Sequence, residues 1–147
     1  MTKEEFLSWA KTAGAVMLPT VTDAQIAPLQ NTLQQMQAAM MPMAFIDFYK
    51  TIAGGMLLGD AHIFGLAEAT RGKQSIYFIP GILQVNRDIG GLPQMRGKTV
   101  FGRNGLFWFA FDAFGNCFML NNMTLMPMRQ YEDIYKALSD CLAVGKI

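Results

Sequence analysis

The sequence predicts an α+β fold: N-terminal helices packed on a mainly antiparallel sheet of about five to six strands, with a C-terminal helix. Three observations support it. Apolar residues recur at three- and four-residue spacing as far as Ile52. From His62 onward the pattern changes to short aromatic and β-branched runs separated by turn sequences. A helical period then returns at the end of the chain. Blocks of helices and strands in this order are typical of α+β proteins.

The first helix begins after Thr2, because Thr2 and Glu5 fit a capping box, and Gly14 is a plausible stop. Its apolar residues are Phe6, Leu7, Trp9, Ala10 and Ala13. A linker follows, and we predict a second helix and then a third.

Thr22 or Asp23 caps the second helix, and Pro28 lies near its first turn or marks a kink. The third helix runs from Met43 to Ile52 and ends at Gly54-Gly55.

Short strands are predicted in the second half. The candidates are His62 to Leu66, Ile76 to Ile79, Thr99 to Phe101, Leu106 to Phe111 and Asn116 to Leu120. Asn104-Gly105 and Ala113 to Gly115 read as hairpin turns. Leu106 to Phe111 is apolar on both faces, which predicts an interior strand covered on both sides.

Two segments complete the predicted elements. Ile82 to Ile89 is either a short helix or an irregular connection. Gln130 to Ala143 is predicted to be an amphipathic helix. Its inner face would carry Tyr131, Ile134, Leu138 and Leu142. With no internal repeat or composition break, residues 1–147 are predicted to form one domain.

The composition excludes several classes of protein. The chain of 147 residues is 52% hydrophobic and 16% charged, so it is not intrinsically disordered. Its best apolar stretch, Ile52 to Ala69, is too interrupted to span a membrane. The net charge of +1, without a basic run, predicts no direct nucleic-acid partner. Two acids near the N-terminus do not fit a signal peptide, so we expect a cytoplasmic protein with free thiols at Cys117 and Cys141.

Several short motifs occur in an order that resembles a known superfamily. Pro42 precedes a helix with Phe45 and the Gly54-Gly55 pair, and the strand Ile63-Phe64-Gly65-Leu66 follows. A segment with Asn86 and the sequence Val100-Phe101-Gly102-Arg103-Asn104-Gly105 come next, before the apolar strand and Asp112. From about Asp23 to Leu142 this order is similar to the SUKH superfamily. The resemblance implies a non-enzymatic, cofactor-free protein-binding domain, usually a bacterial immunity protein that neutralises a cognate toxin.

The residue chemistry leaves a second hypothesis open. His62 lies two residues from Asp60 and could act as a general base, although a histidine at a strand start beside a turn acid is the favoured interpretation. A Cys-His pair would need Cys117 or Cys141 close to the ring. The single histidine and the separated cysteines predict no metal site. Residues 102–105 could hold an anion but favour a tight hairpin.

Two groups of methionines flank the structured segments. They are Met36, Met40, Met41 and Met43, and Met119, Met123, Met126 and Met128. They fill the core, or they form an adaptable apolar binding surface. For a toxin-binding surface the predicted partner residues are Asp60, His62, Arg103, Phe107, Trp108 and Met123. The alternative functions are a self-associating scaffold or regulatory protein with a homodimer contact, and a small enzyme using His62.

Overall fold

The fold is α+β, as predicted, with a larger sheet than the sequence suggested. The computed structural model describes residues 1–67, 69–71 and 77–143, with backbone only at 70, 71 and 77. Within these ranges the helices are α1 (Lys3–Ala13), α2 (Asp23–Gln35), α3 (Met43–Thr51), α4 (Ile82–Ile89) and α5 (Ile134–Ala143). The strands are β1 (Val16–Met17), β2 (Met56–Leu58), β3 (Ala61–Ile63), β4 (Ala69–Arg71), β5 (Tyr77–Ile79), β6 (Lys98–Arg103), β7 (Phe107–Asp112), β8 (Cys117–Asn121) and β9 (Pro127–Tyr131).

Seven of these strands form one antiparallel sheet in the order β1-β2-β3-β6-β7-β8-β9. β4 and β5 pair separately as a two-stranded sheet. β7 is interior, as predicted, and Phe109, Ala110 and Phe111 are buried. The added strands are short or lie at the edges, where a pattern of alternating residues carries little signal.

The helix starts agree with their sequence signals. The Thr2 hydroxyl accepts a hydrogen bond from the Glu5 N–H, and Gly14 ends α1 at φ 84°. Thr22, and not Asp23, is the N-cap of α2, because Thr22 and Gln25 form a complete capping box. Pro28 lies inside α2.

The Gly54-Gly55 pair allows three backbone segments to approach closely. A Cβ on Gly54 would lie 2.4 Å from the Pro19 carbonyl oxygen, and one on Gly55 would lie 3.1 Å from the Gly65 Cα. Gly55 also has φ +147°, a conformation that side chains rarely adopt. The pair therefore lets the chain after α3 turn into β2 against the entry to α2.

The helices cover one face of the sheet, which we call the inner face. Phe45 of α3 lies 4.7 Å from Phe101 and 4.9 Å from Phe111 between ring centroids. α5 packs on β3 and β6 to β9, and α1 packs on α5. This aromatic layer between helices and sheet is the main core.

The ambiguous segment Ile82 to Ile89 is a helix, α4, and Asn86 joins it to the sheet. The Asn86 amide accepts a hydrogen bond from the Val100 N–H at 2.8 Å and donates to the Val100 carbonyl at 2.9 Å. β3 does not extend as far as Val100, so this one buried side chain makes the hydrogen bonds that a neighbouring strand would otherwise make to the Val100 backbone.

The predicted helix over Gln130 to Ala143 starts too early. Pro127–Tyr131 is the edge strand β9, in which Tyr131 pairs with Cys117, and α5 begins only at Ile134. Asp133 separates them, accepting a hydrogen bond from the Tyr135 N–H. Tyr131 still faces the core, so its burial is consistent with the residue spacing of a helix and with that of a strand. The predicted linker after Gly14 likewise contains β1.

Smaller differences concern strand ends. Leu106 belongs to the turn before β7, because the side-chain oxygen of Asn104 accepts hydrogen bonds from the Leu106 and Phe107 N–H groups. Ile76, the predicted first residue of one strand, lies outside the described residues. The Ala113 to Gly115 turn is confirmed and is held by the Asp112 carboxylate.

Candidate functional site

Three turns meet at one end of the sheet, which we call the turn end. The β2–β3 turn contains Asp60, the β6–β7 turn is residues 104–106, and the β8–β9 turn is residues 122–126. The antiparallel register of β3 with β6, and of β7 with β8, places these turns side by side. Asn104 anchors the middle turn, because its amide donates to the Cys141 carbonyl of α5 at 3.0 Å.

A row of side chains crosses the other face of the sheet near this end. The strand register pairs Leu57 with His62, His62 with Arg103, and Arg103 with Trp108. Since paired residues project to the same face, these side chains lie next to one another on the face opposite α3 and α5. We call His62, Arg103 and Trp108 the outer row.

Arg103 lies over the ring of Trp108. The guanidinium carbon is 5.4 Å from the ring centroid, a distance typical of a cation–π contact. The ring also holds the guanidinium in place, so less side-chain freedom is lost when Arg103 binds a ligand. Arg103 has no ion-pair partner among the described residues. Its donors are thus available to a ligand.

His62 is half-buried, and its Nδ1 atom is buried with no hydrogen-bond partner in the described part of the chain. Burial and then the Arg103 cation lower the pKa of His62 below 6.5, while a backbone hydrogen bond with Phe78 and the Asp60 charge act in the opposite direction. The ring is therefore neutral at pH 7. Asp60 is exposed, and it acts on the His62 ring through its charge and not through a hydrogen bond.

A groove of about 360 Å³ opens beside His62. Its other walls are Gly14, Val16, Leu57, Leu58, Gly59 and Phe78. Apart from the imidazole the side chains are apolar, and Phe78 remains 48% exposed. The groove is thus shaped to receive an apolar group, with a fixed cation, Arg103, on the next strand.

The predicted site residues do not all share one surface. His62, Arg103 and Trp108 form the outer row, and Asp60 lies at the turn end, where a Cβ on Gly105 would be 2.9 Å from its carboxylate. Met123 is 88% exposed in the β8–β9 turn at the same end. Phe107 alternates with Trp108 along β7 and therefore projects to the inner face.

The members of each methionine group differ in burial. Met41 is buried and Met36 is partly buried, whereas Met40 and Met43 are exposed. In the second group Met119 is partly buried, and Met123, Met126 and Met128 are exposed. Core filling is therefore confirmed for the buried Met41, whereas the binding surface stays a prediction for the exposed members, which concentrate after β8.

Sequence reasoning missed several residues near this end. Phe78 and Leu57 line the groove, and Leu106 is 52% exposed in the β6–β7 turn. At the opposite end of the outer face, Lys98 lies 5.8 Å from the centroid of the Phe118 ring and forms a second cation–aromatic pair. Only the tertiary structure brings Phe78 and Leu57 together, because β5 packs against β2 without pairing with it.

The cysteines are not arranged as nucleophiles. Cys141 is buried, and its thiol lies 3.5 Å from the backbone carbonyl of His62, not from the imidazole. Burial raises the pKa of Cys117 to about 12 and that of Cys141 well above its usual value. Both groups are therefore neutral thiols at pH 7, which are weak nucleophiles.

A metal site and a membrane-spanning helix are both absent from the described residues. No cluster of three or more His, Cys, Asp or Glu side chains there could bind a metal ion. No helix in those ranges has the length and apolar character needed to cross a membrane.

Comparison with known proteins identifies a similar fold but gives no information about the site. The solved structure of a protein from Pseudomonas syringae pv. tomato is similar to this chain, with a TM-score of 0.62 at 16% sequence identity. The match covers 93% of this chain and 96% of that chain. No family model and no curated protein matches the sequence. At this identity the likeness shows the fold alone.

Proposed function

We propose that this chain is a non-enzymatic protein-binding domain of the SUKH type, a cytoplasmic immunity protein that binds and neutralises a cognate bacterial toxin. The outer row is the proposed centre of the contact surface. Tryptophan and arginine are the residues most often found at the energetic centres of protein interfaces. Here one of each is stacked, partly exposed and without an acidic partner among the described residues.

The surroundings of the outer row support a protein partner. Leu106, Met123 and Met126 add exposed apolar area at the turn end of the same sheet. Methionine side chains adapt to the shape of a partner, and the burial of such area drives association. Asp60 at the same end adds a polar group at the rim.

The test is protection of cells that express the toxin encoded beside this gene. We expect wild-type protein to protect, and Trp108→Ala to lose protection and weaken toxin binding at least tenfold, as truncation of a central tryptophan does. Phe114→Ala is the matched control, because Phe114 is 90% exposed at the opposite end of the sheet. Equal loss in both variants, or no protection against any neighbouring toxin, would contradict the proposal.

A second candidate function is self-association through β9. This strand is a sheet edge, four of its five residues are exposed, and Met126 and Met128 lie in or beside it. Exposed edges can pair with another chain. Sedimentation at micromolar concentration would support this function if it found a dimer that Met128→Lys dissociates. A wild-type monomer would exclude it.

A further inference from the structure

We infer that the groove beside His62 and the Arg103 cation together bind a partner segment in which an apolar side chain lies next to a carboxylate. The inference rests on the proposed protein-binding function and names the chemistry of the partner. It concerns the region from Val16 and Leu57 to Arg103, which extends the outer row toward the β1 edge.

Arg103 differs from the cations that form ion pairs among the described residues. Each ion pair of the described residues uses a carboxylate on a helix or at the start of α5: Asp23, Asp47, Asp133 or Asp140. Arg103 takes part in none of them, and its side chain donates no hydrogen bond to any described group. A guanidinium has five N–H donors, so this one can bind a carboxylate through two of them at once.

Among the residues that the structure describes, the carboxylates near this face do not occupy that position. Asp112 accepts hydrogen bonds from the Phe114 and Asn116 backbone and from the Asn116 side chain, within its own turn. Asp60 lies against Gly105 in the turn and forms no ion pair with a described cation. His62 is neutral and adds no charge. An outside carboxylate therefore complements Arg103.

The groove supplies the second half of the recognition. Its apolar walls, Val16, Leu57, Leu58 and Phe78, surround about 360 Å³, enough space for one large side chain. Leu57 and Arg103 are separated by β3, which is about 10 Å at the usual strand spacing. In an extended segment, residues two apart project to the same face and their backbones are about 7 Å apart, so the lengths of the two side chains cover the rest of the distance.

A protein segment fits this geometry better than a nucleic acid. Phosphates recur along a nucleic acid, and binding it needs a stripe of cations. Among the side chains that the structure describes, one arginine lies beside an apolar groove, and the chain has a net charge of only +1. A single carboxylate next to one apolar side chain matches that arrangement.

The test uses synthetic peptides as probes. The first is acetyl-Ala-Phe-Ala-Glu-Ala-amide, and the others replace its Glu by Gln or Lys, or its Phe by Ala. A Trp9→Phe variant leaves Trp108 as the fluorescent reporter, since the chain has two tryptophans. We expect the Phe/Glu peptide to bind at least tenfold more tightly than each altered peptide, and less tightly as salt increases.

Variants locate the interaction. Arg103→Gln should reduce the preference for Glu over Gln to near unity, and Phe78→Ala should reduce the preference for Phe over Ala. Arg129→Gln and Phe114→Ala are the controls, because Arg129 is exposed on β9, the edge of the sheet opposite the groove, and Phe114 is exposed at the end of the sheet opposite the turn end. They should leave both preferences unchanged.

Several results would overturn the inference. They are equal binding of the Glu and Gln peptides, an Arg103→Gln variant that keeps the Glu preference, or tighter binding of decanoate or of a thymidine oligonucleotide than of the Phe/Glu peptide. A dimer that Phe78→Ala dissociates would assign the groove to a second copy. If toxin protection persists while Arg103→Gln and salt have no effect, the inference fails and the proposed function stands. If no toxin is neutralised but the peptides discriminate, only the proposed function fails.

Discussion

At the scale of single residues, a few polar groups decide how the elements join. Asn86 satisfies the Val100 backbone where the sheet has no strand, and Asn104 ties the β6–β7 turn to α5. Tyr49 donates a buried hydrogen bond to the Phe64 carbonyl at 2.6 Å. Burial makes each of these bonds costly to remove, because water cannot replace the lost partner.

Replacement of Asn86 should strongly destabilise the fold. Asn86→Ala leaves the Val100 N–H and carbonyl without partners in a buried position, and we expect a loss of about 3 kcal/mol in the free energy of unfolding. Urea denaturation measures it. The control is Gln94→Ala, which removes an exposed hydrogen bond and should cost under about 1 kcal/mol. Similar losses in the two variants would show that the Asn86 bridge is unimportant.

Stability should depend on the protonation of His62. Because the pKa of His62 is lowered in the folded protein, the unfolded chain binds more protons just below pH 6.5. The contribution of the neutral ring is therefore present above pH 6.5 and is lost as the pH falls below it. Urea midpoints between pH 7.5 and 5.5 should fall more for wild type than for His62→Gln. Parallel curves for the two proteins would contradict the prediction.

At the scale of elements, close backbone approach explains the Gly-Gly pair better than flexibility does. The chain leaving α3 passes between the Pro19 region and Gly65, and there is no room for a side chain on either side. The Gly-Gly motif that contributed to the SUKH resemblance is thus explained by backbone packing in this chain. Its presence is therefore informative about the fold.

Gly54→Ala should therefore destabilise the protein although alanine is a small residue. The new Cβ would lie 2.4 Å from a backbone oxygen, which must move, and we expect a cost of about 2 kcal/mol. Gly91→Ala is the control, since its Cβ would meet nothing within 4 Å. Chemical denaturation of both variants tests the difference, and an equally stable Gly54→Ala protein would refute the packing argument.

At the scale of the whole molecule, one aromatic core connects the helices with the sheet. Phe6 of α1 contacts Phe48 of α3 and Tyr135 of α5, and Phe45 contacts the rings of β6 and β7. Elements that are distant along the chain thus share the same buried layer, which favours unfolding as one unit.

Unfolding should be a single cooperative transition. Trp9 lies in α1 and Trp108 in β7, so the Trp108→Phe variant reports on the helical layer through Trp9, and the Trp9→Phe variant reports on the sheet through Trp108. We expect the fluorescence transitions of the two variants to coincide with the loss of circular dichroism in urea, after correction for any change in stability. Two separated transitions would mean that the helices and sheet unfold independently.

Local signals in the sequence were sufficient for some elements. Thr2, Thr22 and Gly14 predicted helix ends because capping depends on neighbours within four residues. The apolar residues on both faces of Leu106 to Phe111 predicted an interior strand, and β7 does lie between β6 and β8. The predicted cover is complete on the inner face, where Phe111 meets Phe45, but Trp108 on the outer face remains partly exposed. Gln130 and Tyr131 were assigned to a helix because one buried tyrosine fits the period of either element.

By itself the sequence determined the α+β class, the order of helices and strands and the apolar character of the core, since these depend on composition and local period. Only the tertiary structure decided that His62, Arg103 and Trp108 lie in one row, that Phe107 faces away from them, and that Phe78 and Leu57 close a groove beside the row. The reason is physical. Strand register brings together residues from hairpins far apart in the chain, and a shift of one residue would turn each side chain to the opposite face.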